Sequence, residues 1–557
     1  MVSQPARNRL MGACLGDCVH VAGIRVFLGM AEDEGYTTLF AGAAQRLEDI
    51  VTRADEWKPD LLAVSYRLNS VALSNILEEL GCLLAAKGLT GIRMVFGGTD
   101  ENCRVAGESG LFEATFGSSA SQSSVQAYLR GEQAEVRRQA LPDTLVARIH
   151  ACKPFPLLRH HFGRPTVDET VRGAREIAEA AVIDVLSLGP DQNAQESFFR
   201  PHDMDHAQDG AGGVPLRSEA DLRAIYEASR AGNRPLVRCY SGTRDLVRMA
   251  DVLARTIHNA WAAIPLFWYS ELDRRSPRAL RDAIREGQEA IRWHAERGIP
   301  VEVNESHQWS LRQAPDVVAV VAFFLAAYNA KVLGVRDYIG QFMFNTPVGT
   351  SPTMDIAKMQ AKLELVRGLE DEGFRVWRQT RTGLSSMPAG REEAIGHMCA
   401  SIAVQMRLEP HIVHVVGFSE ADHATTAEEL IASARIARGA ISSLVAGTGD
   451  IARDPAVRRR REQLVSEART LLSALTKLAG RDHMDPWQDA DTLARAVECG
   501  LLDAPDLAGN RPARGVVKTR LMGGACMAVD DGGRPKPEAD RVRECLSLVS
   551  GGCLPGN

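Results

Sequence analysis

Paired cysteines, long apolar runs and an excess of charge of one sign are all missing from this chain of 557 residues. Its 11 cysteines are spread over the chain without a CxxC spacing, which argues against a disulfide scaffold and against a structural zinc site. The 14 histidines are also scattered, and the close pairs His160–His161 and His411–His414 lack cysteine or acidic ligands at metal spacing. We therefore expect no zinc centre.

The longest apolar stretches, such as residues 317–327, fall short of the roughly 20 residues that a membrane-spanning helix needs. The N-terminal residues also lack the charged-then-apolar order of a signal peptide. Lys and Arg total 65 against 71 Asp and Glu, which gives a net charge of -6. This balance argues against binding to nucleic acid or anionic lipid driven mainly by electrostatic attraction. We expect a soluble, cytoplasmic protein with no nucleic-acid partner and no membrane partner.

What the chain does have is an ordinary globular composition, 45% hydrophobic and 24% charged, in which strand-like and helical patterns alternate. Over roughly the first 130 residues this alternation predicts a doubly wound parallel sheet of the Rossmann-like or flavodoxin-like kind. The predicted strands are 9–15, 36–40, 60–65, 93–96 and 111–116, and the predicted helices are 23–34, 44–57, 72–87 and 121–130. Such sheets bind ligands at the carboxyl ends of their strands, where Asp17, Ser65, Gly97 and Gly117 fall.

The same alternation continues over residues 176–446, where eight further strands are predicted. They are 182–188, 236–239, 263–269, 301–304, 332–334, 342–345, 375–379 and 412–416. This number of strands in about 270 residues is typical of a (β/α)8 TIM barrel, with Asp191, Ser241, Glu305, Asn345 and Ser419 on its active face. We therefore divide the chain into an N-terminal domain (1–132), a linker (133–160), a barrel (161–480) and a C-terminal cap (481–557).

The segment LGDCVHVAG, residues 15–23, lies where the first predicted strand turns into the first helix. On its own, the HxxG spacing of His20 and Gly23 is also the pattern of a loop histidine and an ordinary helix start. Ser65 and the glycines Gly97, Gly98 and Gly117 follow later strands of the same predicted sheet. A metal ligand, a hydroxyl and two glycine turns at one sheet edge together indicate a site for one large, flat cofactor.

These residues resemble the cobalamin-binding subunit of glutamate mutase and related B12 domains over about residues 9–130. In that family a DxHxxG loop places the histidine under cobalt, and the displaced tail of the cofactor lies in a slot beside a serine and a glycine pair. The resemblance implies that His20 is the cobalt ligand and that Gly23 opens the helix. It also implies a tail slot lined by Ser65, Gly97, Gly98 and Gly117.

Two positions depart from the family pattern in this loop and the next. The aspartate that orients the histidine aligns with Cys18, while an acid stands one place earlier as Asp17. Arg67 stands where the family carries leucine. A carboxylate that bonds a metal-binding imidazole raises the basicity of the imidazole. Either Asp17 takes this role from a shifted loop, or the basicity of His20 is set in another way.

The barrel resembles the catalytic subunit of glutamate mutase over most of its length, so that both subunits are fused in one chain. The matching blocks are SPTMDIAKMQ (351–360), GLSSMPAGREEAIGHM (383–398), VGFSEADHATTAEEL (416–430) and GVVKTRLMGGACMAV (515–529). The resemblance implies adenosylcobalamin as cofactor, whose cobalt–carbon bond breaks to give a 5'-deoxyadenosyl radical that abstracts hydrogen from a small carboxylic acid. It also implies a homodimer.

Candidate substrate residues follow from the same resemblance. Arg223 and Arg238 align with arginines that clamp substrate carboxylates, a task suited to the guanidinium fork, although each is equally typical of a solvated charge. Trp268 and Tyr269 fall where tyrosines line the pocket, a pattern that plain packing also gives. Glu305 matches a pocket glutamate or is simply an acid at a helix start.

One further candidate and two absences complete the comparison with the family. Glu420 aligns with the residue that contacts the adenosine ribose, but the neighbouring lysine of the family is Gly417 here. The first carboxylate-binding arginine aligns with Gln195, and the glutamate that holds the substrate amino group falls near Ala262. Because an unpaired buried charge is costly, we expect a substrate other than glutamate.

The leading hypothesis is a single-chain adenosylcobalamin-dependent mutase that rearranges a small carboxylic acid. The same radical chemistry could instead end in an elimination or another isomerisation. A corrinoid-dependent methyltransferase is a second hypothesis, although no helical cap segment precedes residue 9. A non-catalytic B12 carrier or sensor is the third, although the sequence shows no basic recognition helix.

Overall fold

The computed structural model describes residues 9–117, 120, 125, 128–130, 141–240, 242–445, 454–479 and 485–550. The chain divides into two compact units, Met1–Gln139 and Ala140–Asn557. Ser118, Ser119, Ser241 and most of the predicted helix 121–130 lie outside the described residues. Nowhere in the described part is there a helix both long enough and apolar enough to cross a membrane.

The first unit is a five-stranded parallel sheet in the order β2-β1-β3-β4-β5, which confirms the predicted flavodoxin-like domain. Its strands are β1 (Arg9–Leu15), β2 (Thr37–Gln45), β3 (Leu61–Tyr66), β4 (Arg93–Gly98) and β5 (Ala114–Phe116). Its helices are α1 (Ala22–Asp33), α2 (Leu47–Trp57), α3 (Ser70–Ala86) and α4 (Asp100–Glu108). The last of these helices was not predicted.

Burial explains why the central strands of this sheet read as continuous apolar runs. All six residues of β3 are buried, as are six of the seven in β1, because helices cover both faces of a parallel sheet. The side chains of Asn69 and Thr99 cap the starts of α3 and α4 by accepting backbone N–H bonds. The loops after β1, β3 and β4 therefore leave the sheet at one edge, at fixed positions.

The second unit contains an eight-stranded parallel sheet in the order β8-β7-β6-β13-β12-β11-β10-β9, which confirms the predicted barrel. Its strands are β6 (Leu157–Phe162), β7 (Val185–Leu188), β8 (Leu236–Cys239), β9 (Ala262–Ile264), β10 (Val301–Val303), β11 (Asp337–Phe344), β12 (Arg375–Thr382) and β13 (Ile412–His414). Strands β8 and β9 are the two ends of this order and are consecutive in the chain, so they approach each other where the barrel nearly closes.

Helices surround this barrel and extend beyond it. They are α5 (Leu145–Cys152), α6 (Val167–Ala180), α7 (Gln192–Ser197), α8 (Glu219–Ala228), α9 (Leu246–Ile257), α10 (Leu280–Ala295), α11 (Ser306–Leu311), α12 (Asp316–Val332), α13 (Pro352–Arg367), α14 (Arg391–Gln405) and α15 (Ala427–Val445). The C-terminal part adds α16 (Pro455–Ala479), α17 (Ala490–Glu498), the antiparallel hairpin of β14 (Thr519–Met522) and β15 (Ala525–Ala528), and α18 (Glu538–Ser550).

Two barrel strands differ from the sequence prediction. The first barrel strand, β6, begins inside the stretch predicted as a linker, because Arg159, His160 and His161 interrupt its apolar pattern. Residues 332–334, predicted as a strand, instead end α12 and form a turn in which Gly334 has a φ of +93°. The buried helix α12 is apolar on all sides, so its last turn looks like a strand in sequence.

The amino-terminal end of the barrel is closed by α5. Leu145 and Ile149 pack against an interior layer of apolar side chains from the strands. Arg148 of the same helix is fully buried and donates hydrogen bonds to the carbonyl oxygens of Leu141, Pro142, Asp184 and Arg234. With that end sealed, a ligand of the barrel must bind at the carboxyl end, as in other barrels of this type.

Candidate functional site

A groove of about 220 Å³ opens at the carboxyl edge of the first unit's sheet. It collects seven of the residues that the sequence predicts for the cofactor: His20, Gly23, Ser65, Arg67, Gly97, Gly98 and Gly117. Its remaining walls are mainly apolar and include Ile24, Phe27, Val64 and Phe96. Residues from four separate loops and strand ends thus converge on one space.

The glycines of this groove are required for different reasons. A Cβ atom on Gly98 would lie 2.7 Å from the carbonyl oxygen of Tyr66, and one on Gly117 would lie 2.3 Å from Oδ1 of Asp100. At Gly97 the nearest atom to such a Cβ would be 3.9 Å away, an ordinary contact. Gly98 is therefore needed by the fold, because it faces backbone, whereas the clash at Gly117 is with the end of a side chain that can move, and Gly97 lines the groove without a clash.

His20 lies at the rim of the groove with its imidazole exposed to solvent. Its Nδ1 atom is 3.7 Å from the Sγ atom of Cys18, which is fully buried. Asp17 is exposed on the same loop and takes no part in this contact. Of the two arrangements that the sequence left open, the structure therefore places the thiol of Cys18, and not the carboxylate of Asp17, behind His20.

A second thiol, that of Cys14, contacts the backbone of the loop that carries His20. The Ser65 hydroxyl donates to the Sγ atom of Cys14 at 3.3 Å, and that thiol lies 3.8 Å from the carbonyl oxygen of His20. Burial raises the pKa of Cys14, so this thiol stays protonated at neutral pH. Sulfur contacts of Cys14 and Cys18 thus help to hold this loop.

The groove fits the group that the resemblance implies. An exposed imidazole at the rim can bind a metal through Nε2 while Nδ1 faces Cys18. Apolar walls and a glycine floor can accept a flat aromatic tail. The residues that would hold cobalamin are therefore His20 as cobalt ligand and Ser65, Gly97, Gly98 and Gly117 around the tail.

The interior of the barrel holds a buried charged cluster above its apolar floor. Arg159 and Arg238 lie 3.9 and 3.7 Å from Oε2 of Glu302, and all three side chains are almost completely buried. The same oxygen accepts hydrogen bonds from Nε1 of Trp261 at 2.8 Å and Nε2 of Gln379 at 3.1 Å. One carboxylate therefore stands against two guanidinium groups.

The two arginines differ in their hydrogen bonding. Arg159 donates to Ser187 Oγ at 2.6 Å and Gln379 Oε1 at 2.7 Å, and it contacts Nε2 of His161 at 2.9 Å. In Arg238, Nε and Nη2 have no hydrogen-bond partner among the described residues. These two nitrogens form one edge of the guanidinium, the edge that binds a carboxylate through two parallel bonds. Nη2 is also the nitrogen that lies 3.7 Å from Oε2 of Glu302, so this edge of Arg238 makes no hydrogen bond but already faces one carboxylate.

Two histidines and a tyrosine adjoin Arg238 in this cluster. The guanidinium lies 5.0 Å from the ring of Tyr240, which stacks on His161 at 5.4 Å, and His161 lies 4.6 Å from His414. Burial, together with Arg159, lowers the pKa of His161 and of His414 far below the ordinary value. Both imidazoles are therefore neutral at physiological pH.

Glu305, Trp268 and Tyr269 lie together where β9 and β10 end. Oε1 of Glu305 accepts backbone N–H bonds from Leu266 at 2.5 Å and Phe267 at 2.9 Å. Burial raises the pKa of Glu305 to about 8, so the carboxyl group is mostly protonated at neutral pH. Trp268 packs against Trp309 and Tyr269 is almost buried, so the structure gives this pair a packing role at the least.

Arg223 does not join the cluster. It lies on the outer helix α8, half exposed, and pairs with Glu219 one helical turn earlier and with the carbonyl oxygen of Arg255. The prediction that it clamps substrate is not supported by this position. The physical reason is that α8 buries its Leu222 and Ile225 side, which leaves Arg223 on the solvent side.

Glu420 belongs to the second unit, in the loop after β13. Its Oε1 accepts the backbone N–H of Gly417 at 2.7 Å and lies 3.2 Å from Nε2 of His160. A Cβ on Gly417 would lie 2.8 Å from the same His160 nitrogen. This explains why glycine stands where the resembling family has lysine: His160 fills that space and pairs with Glu420.

Several members of the barrel cluster were missed by the sequence analysis, namely Arg159, His161, Tyr240, Glu302, Gln379 and His414. The sequence did contain a pattern that could have identified some of these residues. Arg159 with His161, and Gln379 with Arg381, are polar residues two apart within strands, so each pair points to the same side of its strand. Charged side chains are almost never fully buried unless they are paired, so such a pattern indicates a buried ion cluster.

Comparison with known proteins agrees with the first unit's groove. Residues 8–108 match the family model of the B12 binding domain. This part of the chain is therefore a B12-binding domain. No curated protein matches the chain significantly.

Solved structures similar to the chain are distant. A novel cobalamin-binding protein from Desulfitobacterium hafniense DCB-2 is 22% identical, with a TM-score of 0.19, over 22% of this chain and 56% of that one. A 2,3-dimethylmalate lyase is 12% identical with a TM-score of 0.27, over 59% of this chain and 98% of that one. The cobalamin-dependent S-adenosylmethionine radical enzyme OxsB is 8% identical with a TM-score of 0.18, over 87% and 70% of the two chains. At such scores these similarities do not bear on the chemistry of the barrel.

Proposed function

We propose that this protein is an adenosylcobalamin-dependent radical mutase that acts on a small carboxylic acid other than glutamate. The observation that carries the proposal is the buried Arg238, whose Nε atom has neither a hydrogen-bond partner nor an ion pair among the described residues, inside the barrel of a chain whose first unit is a B12-binding domain. The B12 domain supports the choice of cofactor, and the arginine supports the choice of an acid. The adenosyl form and the isomerase outcome are taken from the resemblance to glutamate mutase.

In the first unit, His20 would hold cobalt through Nε2 while its Nδ1–H bonds to the Sγ atom of Cys18. Adenosylcobalamin supplies, when bound, an organic radical through homolysis of its cobalt–carbon bond. Gly97 would leave room in the groove for the cofactor tail, and Gly98 lets β4 lie close to the carbonyl oxygen of Tyr66. The protein's own task here is to bind and orient.

In the barrel, Arg238 would hold a substrate carboxylate through Nε, beside the Nη2 atom that faces Glu302. Glu302 keeps Arg159 and Arg238 close together despite their like charge, because it lies within 4 Å of both. The apolar floor sealed by α5 excludes water from below. A dry site of this kind holds a reactive intermediate away from side reactions.

The test uses the purified full chain with adenosylcobalamin, a His20→Ala variant and a His206→Ala control. His206 is exposed and lies in the second unit, so its loss should change nothing. We expect the wild type and the control to give the spectrum of cobalamin with histidine as lower ligand, and His20→Ala to lose it. With an accepted acid, the wild type should then release 5'-deoxyadenosine.

Two results would contradict the proposal. If the wild type bound no cobalamin, the assignment of cobalamin as cofactor would be wrong. A wild type that transfers a methyl group from methylcobalamin, without forming 5'-deoxyadenosine, would make it a corrinoid methyltransferase instead.

A further inference from the structure

The groove of the first unit carries a permanent charge at one position. Of the described residues that line it, Arg67 is the only one whose side chain is always ionised. The others are apolar residues and glycines, together with the hydroxyl of Ser65 and the imidazole of His20. Arg67 forms no hydrogen bond and no ion pair with any residue that the structure describes. Its guanidinium is therefore available to a ligand of this groove.

The fold gives no reason for a cation at this position. Arg67 is exposed, so it fills no space in the core, and the resembling family carries leucine there. Apolar walls lower the local dielectric and strengthen the field of a nearby charge. A ligand of the groove is therefore favoured if it brings a negative charge close to Arg67.

Arg67 and Ser65 lie at different depths of the groove. Ser65 is within β3 and only 5% exposed, whereas Arg67 comes directly after the end of this strand and is exposed. Alternate residues of a strand face the same side, which agrees with both side chains lining the groove. Ser65 therefore lies inside the groove and Arg67 at its mouth, where His20 also lies.

The tail of cobalamin has its charged group in a matching place. From the corrin ring outward, the tail consists of an aminopropanol linker, a phosphodiester, a ribose and the terminal base. The phosphodiester has one negative charge at every physiological pH. With cobalt on His20 at the rim and the base beside Ser65 inside, the phosphodiester precedes the base on the way into the groove. It therefore comes on the side of the mouth, where Arg67 stands.

We infer that Arg67 is a specificity residue for the cofactor, which binds the phosphodiester of the cobalamin tail through its guanidinium. The guanidinium fork suits the oxygen atoms of a phosphate. The chain would thus select a complete cobalamin over a corrinoid without a tail by charge as well as by packing. This inference rests on the cofactor of the proposed function and is independent of the radical chemistry.

The test compares two corrinoids that differ in the tail. Adenosylcobalamin has the whole tail, whereas adenosylcobinamide ends at the aminopropanol linker and has no phosphodiester, ribose or base. Visible absorption or calorimetry gives the affinity of the full chain for each. The variants are Arg67→Gln, Arg67→Lys and the control Arg104→Gln. Arg104 is exposed on α4, pairs with Glu108 at 2.9 Å and does not line the groove.

We expect Arg67→Gln to bind adenosylcobalamin about five- to tenfold more weakly than the wild type, because a charge-assisted contact is lost at a partly exposed position. Its affinity for adenosylcobinamide should not change. Arg67→Lys should keep part of the affinity for adenosylcobalamin, since it keeps the charge without the fork. Arg104→Gln should bind both corrinoids as the wild type does.

A salt titration tests the same contact without cobinamide. Between about 50 mM and about 500 mM NaCl, the affinity of the wild type for adenosylcobalamin should fall more steeply than that of Arg67→Gln, because salt screens an exposed ion pair. The Arg67→Lys variant should keep the steep dependence. This measurement decides the question if adenosylcobinamide binds too weakly for its affinity to be measured.

Two results would overturn the inference. One is an Arg67→Gln variant that binds adenosylcobalamin as tightly, and with the same salt dependence, as the Arg104→Gln control. The other is an equal loss for both corrinoids, which would place the guanidinium against the corrin amides that both contain.

The outcomes also separate this inference from the proposed function. A wild type that binds neither corrinoid would contradict the cofactor assignment and the inference together. Tail recognition that depends on Arg67, in a chain that forms no 5'-deoxyadenosine with any acid, would support the inference and contradict the radical chemistry. Release of 5'-deoxyadenosine by a chain whose Arg67→Gln variant binds adenosylcobalamin normally would do the reverse.

Discussion

The Sγ atom of Cys18 lies 3.7 Å from Nδ1 of His20, so a thiol stands behind the imidazole that we assign to cobalt. A thiol is a weaker hydrogen-bond acceptor than a carboxylate, which leaves the imidazole less basic. The relationship makes Cys18 a positioning residue for His20.

Replacing Cys18 should therefore change cobalamin affinity in both directions. Cys18→Ala removes the partner of Nδ1 and should weaken binding about tenfold, whereas Cys18→Asp supplies a stronger acceptor and should tighten it. Titration with cobalamin, followed by visible absorption, measures both. Cys82→Ala is the control, because Cys82 is exposed on α3. Equal affinity in all three variants would show that Cys18 does not act through His20.

Two adjacent glycines should respond differently to one added methyl group. Gly98→Ala should destabilise the first unit by about 1–3 kcal/mol, because its Cβ would lie 2.7 Å from the Tyr66 carbonyl oxygen. Gly97→Ala should leave the free energy of unfolding within about 0.5 kcal/mol. It should nevertheless weaken cobalamin binding, because Gly97 lines the groove. Denaturant unfolding and cobalamin titration of both variants check this, and equal loss of stability would contradict it.

Two buried lysines one turn apart on α13 should have opposite effects on stability. Lys358 bonds Asp316 at 3.2 Å and lies 3.4 Å from Asp355, so Lys358→Met removes a cation from two buried acids, of which Asp316 keeps Arg460, and should cost about 3 kcal/mol. Lys362 bonds only the Ser306 hydroxyl at 3.1 Å, within the described residues. Lys362→Met should therefore stabilise the protein by about 1–3 kcal/mol at pH 7.

The stability gained by replacing Lys362 should also depend on pH. Burial lowers the pKa of Lys362 to about 7, so above pH 7 the unfolded chain binds its proton more tightly than the folded one. The stability difference between Lys362→Met and the wild type should therefore shrink as the pH rises from 7 towards the ordinary value for lysine. Urea unfolding over this range measures it. A difference that is constant with pH would contradict a depressed pKa.

The buried carboxyl group of Glu305 should make the stability of the protein change with pH in the opposite direction. Burial raises the pKa of Glu305 to about 8, so between its ordinary value and pH 8 the folded state holds a proton that the unfolded state has lost. Stability should fall as the pH rises through this window, by at least about 2 kcal/mol. Glu305→Gln keeps an oxygen for the Leu266 and Phe267 amides and should remove this part of the slope. Parallel unfolding curves for the two proteins at every pH would contradict the raised pKa.

The sequence predicted the first unit well because its signals are local. Apolar runs such as β1 and β3 are buried on both sides, and the site residues are found from the strands, since Ser65 and Gly98 lie at the ends of β3 and β4 and His20 lies in the loop after β1. What the sequence left open was the partner of His20. Asp17 and Cys18 are neighbours, and only the path of the loop decides which of them faces the imidazole.

The site in the barrel was harder to predict from the sequence, because it is formed by residues that are far apart in the chain. The first strand was taken for a linker, since Arg159 and His161 do not look like buried strand residues. Arg223 and Arg238 looked alike in sequence, but only Arg238 lies on a strand facing the interior. Arg159 bonds Ser187 and Gln379, whereas Arg238 lies beside Glu302. No local sequence pattern connects these residues, so the sequence could not show how the two arginines differ.

The most direct test of the account is electron paramagnetic resonance of the full chain loaded with cob(II)alamin, prepared with ordinary and with 15N-labelled histidine. If His20 binds cobalt, each cobalt line is split into three by 14N and into two by 15N, and both patterns disappear in His20→Ala. The Cys18→Ala variant should keep the splitting with an altered coupling, because its imidazole stays but loses the thiol. A spectrum in which the label leaves the splitting unchanged would contradict the assignment of His20, and with it the account of how this chain holds cobalamin.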